Sequence, residues 1–252
     1  MDERPIGIFD SGTGGLSVLR NMRALLPKET FIYYGDDANA PYGTRPEEDI
    51  LRLAKADVDF LMGFGVKAIV IACNTATSAA AKTLRETMTI PIIGMEPALK
   101  PASLMRKDGI VAVLATPATL RQTKFQLLME KYGEHAVSVP CAGLMEFAER
   151  GEIGGEKLEE FISKTFEPYK NIKIDAAVLG CTHYVFLKNA IQKALPGVPL
   201  VDGNEGTARQ LKRILEEKDL LSADGNGEIR LFTSGDSEKM IPLMNRLLQS
   251  EV

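Results

Sequence analysis

The sequence predicts an α/β protein of two similar parallel-sheet halves that face each other across a cleft. Three observations carry this expectation. Short Val- and Ile-rich runs alternate with longer amphipathic stretches, the pattern of βαβ units feeding a parallel sheet. Small polar residues recur at the C-terminal ends of the runs, and one run with its flanks is nearly repeated later in the chain.

In chain order the first half offers strands at Ile6 to Phe9, Thr30 to Tyr34, Ala68 to Ala72 and Pro91 to Gly94. The second offers Ile110 to Leu114, Ala136 to Val139, Ala176 to Leu179 and Pro199 to Val201, and a late run follows at Ile229 to Phe232. Each is a short apolar run bounded by turn residues, as a strand buried on both faces should be. Helical periodicity fills gaps between them at Glu47 to Met62, Thr77 to Glu86, Leu120 to Lys131, Lys157 to Tyr169 and Thr207 to Lys218, several with acidic residues early.

The strand ends carry the chemistry. They read Asp10-Ser11-Gly12, Gly35-Asp36-Asp37, Cys73-Asn74-Thr75, Thr116-Pro117, Cys141 and Cys181-Thr182-His183. Ligands of open parallel sheets bind in the crevice beyond the carboxyl ends of the strands, so these residues should converge. The repeat strengthens that expectation. Ile69-Val70-Ile71-Ala72-Cys73-Asn74-Thr75 resembles Ala177-Val178-Leu179-Gly180-Cys181-Thr182-His183, and Ile8-Phe9-Asp10-Ser11 has a counterpart in Leu114-Ala115-Thr116. Asp10 precedes Cys73 by 63 positions and Thr116 precedes Cys181 by 65. We expect a first domain of residues 1–95 plus 204–252 and a second of 96–203, each offering one thiol to the cleft.

Composition narrows the function. Hydrophobic residues make up 45% and charged residues 25%, so a sizeable core is available and disorder is not expected. A net charge of −4 without a basic run lacks the electrostatic footprint of phosphate-backbone binding, which argues against a nucleic-acid partner. No apolar stretch approaches the roughly 20 residues that span a bilayer, and Met1-Asp2-Glu3-Arg4-Pro5 does not open a signal peptide, so no membrane association and a cytoplasmic location are expected. Three cysteines without a secretion signal are expected as free thiols.

A cysteine between an apolar strand and Asn-Thr or Thr-His stands at a helix entry turn, where Asn and Thr are good caps and the backbone N–H groups stabilise anions. Such a place lowers a thiol pKa, so a poised thiolate is expected at Cys73 and at Cys181. The bland reading is that free cysteine fills a strand end as a small hydrophobe; matched contexts for two of them favour chemistry. Two equivalent thiols suit removal of a proton from one face of a carbon and its return on the other, whereas a single-Cys hydrolase needs one thiol, one base and an asymmetric oxyanion hole. Asp10 and His183 are expected to serve the thiol of their own half. Ser11, Asn74, Thr75, Thr116, Thr119 and Thr182 are candidate donors to a carboxylate. In the loop Pro41-Tyr42-Gly43 the ring of Tyr42 is expected to cover the cleft. His135 reads as an exposed loop residue. Gly12-Thr13-Gly14-Gly15 is neither a dinucleotide fingerprint nor a phosphate-binding loop with its Lys-Ser or Lys-Thr, and no third ligand at metal spacing accompanies Cys73, Cys181 and His183. A noncatalytic module holding a dicarboxylate or phosphate is the alternative from another class.

The chain resembles glutamate racemases of the cofactor-independent Asp/Glu racemase superfamily. The resemblance runs almost end to end through Asp10-Ser11-Gly12-Thr13-Gly14-Gly15-Leu16, Pro41-Tyr42-Gly43, Ala72-Cys73-Asn74-Thr75-Ala76, Leu179-Gly180-Cys181-Thr182-His183-Tyr184 and Thr233-Ser234-Gly235-Asp236. It implies two α/β domains under pseudo-twofold symmetry with the active site between them, no cofactor and no metal. Cys73 and Cys181 would abstract and donate the α-proton of free glutamate, with aspartate as the rival substrate and peptidoglycan as the destination of D-glutamate. By the same resemblance Asp10-Ser11, Tyr42-Gly43, Asn74-Thr75 and Thr182-His183 are substrate-contact pairs, Thr116 and Thr119 add contacts, and Asp36, Glu149 and His183 are auxiliary polar groups around the thiols. It also implies a homodimer as one assembly state. The chain departs from the family where a stretch resembling CPxFVPLVE is replaced by Cys141-Ala142-Gly143-Leu144-Met145-Glu146-Phe147-Ala148-Glu149 and where Val185 follows Tyr184 in place of a common proline. It also starts almost at its first strand, without the extension that some members use for regulation by a peptidoglycan precursor.

Overall fold

The computed structural model describes residues 2–250; Met1, Glu251 and Val252, the outermost residues of the expected first domain, lie outside the described residues. All nine anticipated runs are strands: Ile6–Asp10 (β1), Phe31–Gly35 (β2), Ala68–Ile71 (β3), Ile92–Gly94 (β4), Ile110–Ala115 (β5), Ala136–Pro140 (β6), Ile174–Leu179 (β7), Leu200–Asp202 (β8) and Ile229–Thr233 (β9). Eleven α-helices are described, namely Leu16–Leu25 (α1), Glu47–Met62 (α2), Asn74–Thr87 (α3), Leu99–Met105 (α4), Pro117–Arg121 (α5), Thr123–Tyr132 (α6), Met145–Glu149 (α7), Glu156–Phe166 (α8), Lys188–Ala194 (α9), Asn204–Glu217 (α10) and Ser237–Gln249 (α11). The helix expected over Leu120 to Lys131 is two helices, because Gln122 takes an extended conformation (φ −71°, ψ 139°) between α5 and α6. That over Lys157 to Tyr169 ends as α8, and a 3-10 turn at Glu167–Tyr169 with Pro168 at its start completes the span.

The strands form two parallel sheets of order β4-β3-β1-β2-β9 and β6-β5-β7-β8. Read from the other edge, the second sheet is β8-β7-β5-β6, so β1 to β4 correspond to β5 to β8 one by one. The hydrogen bonds beyond the strand ends correspond as well. Asp36 N–H donates to the Asp10 carbonyl as Cys141 N–H donates to that of Ala115, and Ala72 N–H donates to Phe9 as Gly180 N–H donates to Leu114. Internal repetition of this kind is what a pseudo-twofold relation requires. It also corrects one pairing in the repeat: Asp10 corresponds to Ala115, so Thr116 is the counterpart of Ser11. Cys73 and Cys181 remain true counterparts, and the Asp10 carboxylate has none.

Each sheet is covered on both faces, which is why its strands read as continuous apolar runs. In the first, Ile6, Ile8, Phe31 and Tyr33 pack with α1, α10 and α11, while Phe9, Ile32, Ile69 and Ile71 pack with α2 and α3. In the second, Ala112, Leu114, Ala177 and Leu179 pack with α7, α8 and α9, while Val111, Val113, Ala176 and Val178 pack with α4 and α6. The period-2 alternation of strand side chains splits each run between two cores. Covered on both faces, the sheets leave their carboxyl ends as the place for a site. No described helix is long and apolar enough to cross a membrane.

Candidate active site

Cys73 follows β3 and Cys181 follows β7, and both side chains are buried. The expected caps are corrected in one respect. Cys73 itself, in extended conformation, occupies the N-cap of α3, and its sulfur accepts the Ala76 N–H at 3.4 Å. Asn74 and Thr75 are therefore the first helical residues and their side chains are free to face elsewhere. Cys181 stands in the same extended conformation before a 3-10 helix, Thr182–Leu187, with no side-chain cap bond.

The expectation of a lowered thiol pKa does not hold for Cys73. Burial, and then the charge of Asp10, push the thiol up to about 12; the Ala76 N–H and the Ser11 hydroxyl, 3.7 Å from the sulfur, pull it down by less. In a site closed to water the loss of solvation outweighs one helix N-terminus. Cys141 shares the rise to about 12, first from burial, and its sulfur lies 3.3 Å from the Val139 carbonyl at the end of β6.

The surroundings of the two paired thiols differ in sign. On the Cys181 side, His183 Nδ1 lies 3.6 Å from the sulfur, and Nε2 is paired with the Glu149 carboxylate. Burial drives the imidazole toward neutrality, yet Glu149 and the neighbouring sulfur outweigh it and hold His183 well above its ordinary value. Glu149, raised by burial, is drawn below the carboxylate range by His183 and by the Thr13 N–H, which donates to it at 2.9 Å. On the Cys73 side stands Asp10, whose carboxyl accepts from the Gly12 N–H at 2.9 Å and from the Thr182 hydroxyl at 3.1 Å. Burial raises Asp10 to about 6 against the pull of His183. Asp10 thus bonds to Thr182 of the opposite half, and its influence on Cys73 is through charge.

The remaining polar residues form a seam between the halves. The hydroxyls of Thr75, Thr116 and Thr119 meet at 2.9 Å (Thr75 to Thr119), 3.0 Å (Thr116 to Thr119) and 3.4 Å (Thr75 to Thr116). Gln122 Nε2 donates to the Thr75 carbonyl at 3.2 Å and the Ser17 hydroxyl to that of Thr182 at 3.2 Å, so each half holds a helix start of the other. Asn74 is buried, and neither its amide nitrogen nor its oxygen has a hydrogen-bond partner. Buried amides are rarely left so, and at a helix start beside a thiol the pattern fits a group that completes its bonds on a polar substrate. Gly14 lies so close to His183 Nδ1 and Thr182 Oγ1 that a Cβ there would overlap both.

Pro41, after a cis Ala40–Pro41 peptide, leads into a 3-10 turn at Tyr42–Thr44. Tyr42 is buried and its ring packs in the same cluster as Cys73. Gly43 rests on Thr116 of the second half, where a Cβ would come within 2.9 Å of the Thr116 Cβ. The Tyr42 hydroxyl lies 2.6 Å from Asp36 Oδ2 and 3.0 Å from Asp57 Oδ2. Asp36 also accepts from Asn39 at 3.0 Å and from Ser234 at 2.6 Å, so it is brought to the Tyr42 segment and to the end of β9, with no bond to either thiol. Asp57 is a site neighbour that no motif marks; its one signal in the sequence is its place on the apolar stripe Ile50, Leu53, Ala54, Asp57, Val58, Leu61 of α2. His135 is exposed in the turn before β6, as expected. Among the described residues no group of three or more His, Cys, Asp or Glu is arranged to hold a metal ion.

The family model described as Asp/Glu/Hydantoin racemase matches residues 6–211. A glutamate racemase of Clostridium botulinum (strain Alaska E43 / Type E3) is 50% identical over 252 residues, covering 98% of each chain. A solved glutamate racemase isoform from Bacillus anthracis superposes with a TM-score of 0.89 at 32% identity, covering 100% of this chain and 96% of that one. A glutamate racemase from Francisella tularensis, solved in complex with D-glutamate, gives 0.86 at 34% identity, covering 100% and 96%.

Proposed function

Because the chain belongs to the Asp/Glu/hydantoin racemase family, we infer from its site that it interconverts L- and D-glutamate with Cys73 and Cys181 as the two proton carriers, without a cofactor. One observation carries the assignment of roles: two buried thiols occupy equivalent positions, each just beyond the matching strand in two halves of the same topology. Inversion at an α-carbon requires a base on one face and an acid on the other, exchanging roles in the reverse direction.

The substrate is glutamate, and the seam supplies its donors. Ser11, Asn74, Thr75, Thr116, Thr119 and Thr182 offer hydroxyl, amide and backbone N–H groups to its carboxylates, and the Tyr42–Gly43 segment walls the site. The imidazolium of His183, fixed by Glu149, stabilises negative charge on the Cys181 sulfur, while Asp10 opposes it on Cys73. The two thiols therefore stand beside groups of opposite charge, His183 at Cys181 and Asp10 at Cys73. Each turnover leaves the proton on the opposite thiol, and a turnover in the reverse direction returns it. The same reading divides the chain into residues 1–95 with 204–252 and residues 96–203, supported by the sheet to which each strand belongs, and directs D-glutamate to peptidoglycan.

Circular dichroism of L- and D-glutamate incubated with the protein tests the activity directly, with aspartate alongside as the rival substrate. In deuterated water each product should carry α-deuterium. Loss of either thiol should abolish racemisation, and full activity in Cys181→Ser would defeat the two-base mechanism.

A further inference from the structure

Helix α2 buries a carboxyl group among its apolar residues. Asp57 is 2% exposed, and placing an acid there costs free energy unless a partner satisfies it. The partner is the Tyr42 hydroxyl, 3.0 Å from Asp57 Oδ2, and that hydroxyl lies 2.6 Å from Asp36 Oδ2. A phenol has one hydrogen to give, so two ionised carboxylates cannot both be satisfied by it. Asp36, with Asn39 and Ser234 also donating to it, is the acceptor.

We propose that Asp57, as a neutral carboxylic acid, is a positioning residue of the substrate site: it donates to Tyr42 Oη, turns the Tyr42 hydrogen toward Asp36, and so clamps the Tyr42–Gly43 segment against Thr116. The chain of donors runs Asp57 to Tyr42 to Asp36. It starts on a 16-residue helix and passes through the Tyr42–Gly43 segment that rests on Thr116. Burial first, and then the charge of Asp36, push Asp57 up to about 8, with Asp10 adding to the rise and Tyr42 opposing it. Asp36 and Tyr42 face it from the segment after β2, and Asp10 from the end of β1. Tyr34 of β2 feels its charge, and α3 contributes Ala76, Ala80, Ala81 and Leu84 to the cluster that α2 packs in. The inference rests on reading Tyr42–Gly43 as a wall of the glutamate site.

Steady-state racemisation by wild type, Asp57→Asn, Asp57→Leu, Tyr42→Phe and the Tyr42→Phe/Asp57→Leu double variant tests it. The asparagine amide can still donate to Tyr42, so Asp57→Asn should keep KM within about twofold at pH 7.5, whereas Asp57→Leu should raise KM about tenfold, or ~1.4 kcal/mol, with kcat changed by less than about threefold. Added to Tyr42→Phe, Asp57→Leu should raise KM no further, because the group through which it acts is already gone. The wild-type KM should climb as pH passes about 8, where an ionised Asp57 can no longer donate, and that rise should vanish in Asp57→Asn. Unchanged KM in Asp57→Leu, or an equal effect in both Tyr42 backgrounds, overturns the proposal. If Asp57→Leu fails to fold, the Asp57→Asn pH profile decides: a flat KM supports the role, and a wild-type rise refutes it. Wild type inactive on glutamate would instead refute the substrate reading.

Discussion

Replacing Glu149 by glutamine should weaken the hold on the cation beside Cys181. His183 is 1% exposed, and burial alone would drive it below its ordinary value; the Glu149 carboxylate holds its proton. The carboxylate's attraction is the largest of the contributions that oppose burial at this ring. Without that attraction the imidazole is driven toward its neutral form by burial, opposed chiefly by the Cys181 sulfur. Its Nδ1 remains 3.6 Å from the Cys181 sulfur, but a neutral donor stabilises a thiolate roughly half as well as a charged one, a loss of about 1–2 kcal/mol in the transition state. That corresponds to a fall of about five- to thirtyfold in kcat/KM. Enantiomers have equal free energy in water, so the fall must be the same in both directions. Circular dichroism from each enantiomer reads the rate, and an NMR titration of the imidazole reads the charge. An imidazole whose titration is not moved downward in Glu149→Gln, or a kcat/KM within twofold of wild type, would refute the reasoning.

Gly14→Ala should abolish measurable racemisation while far-ultraviolet dichroism stays unchanged, since the atoms nearest its Cβ belong to His183 and Thr182 at the site. Lys67→Met should leave kcat intact at 25 °C but lower Tm on the order of 10 °C, because Lys67 pairs at 2.6 Å with Glu29 in full burial at the sheet end remote from the thiols, and an orphaned buried charge costs about 3–5 kcal/mol. Asp57 also shapes stability against pH. Its folded value of about 8 lies above its ordinary 3.8, so the unfolded chain releases the proton first and stability falls as pH rises from about 4 to about 8. Thermal melts should therefore show Asp57→Asn gaining on wild type between pH 5 and pH 8, by about 5 °C or more; a constant difference would contradict a buried neutral acid.

The sequence by itself determined the strands, because residues buried on both faces of a sheet must be apolar and the turns beyond them must be small and polar. It also determined the two thiols, because a repeated strand end betrays a repeated fold. What lay between the strand ends was decided in three dimensions. The repeat aligned Asp10 with Thr116, and only the backbone hydrogen bonds show that Ser11 is the true counterpart and that Asp10 stands alone. The expected thiolate at Cys73 became a thiol pushed up to about 12, because the extent of burial and the sign of a neighbour's charge are properties of the packed chain. Asp36 read as a neighbour of the thiols and is instead the anchor of Tyr42, while Ser234 reaches it across 198 residues. Asp57 was visible as an acid on an apolar stripe of α2, but its meaning required the Tyr42 hydroxyl to arrive from another element. Periodicity reports which face of an element is buried; what that face meets is set by long-range topology.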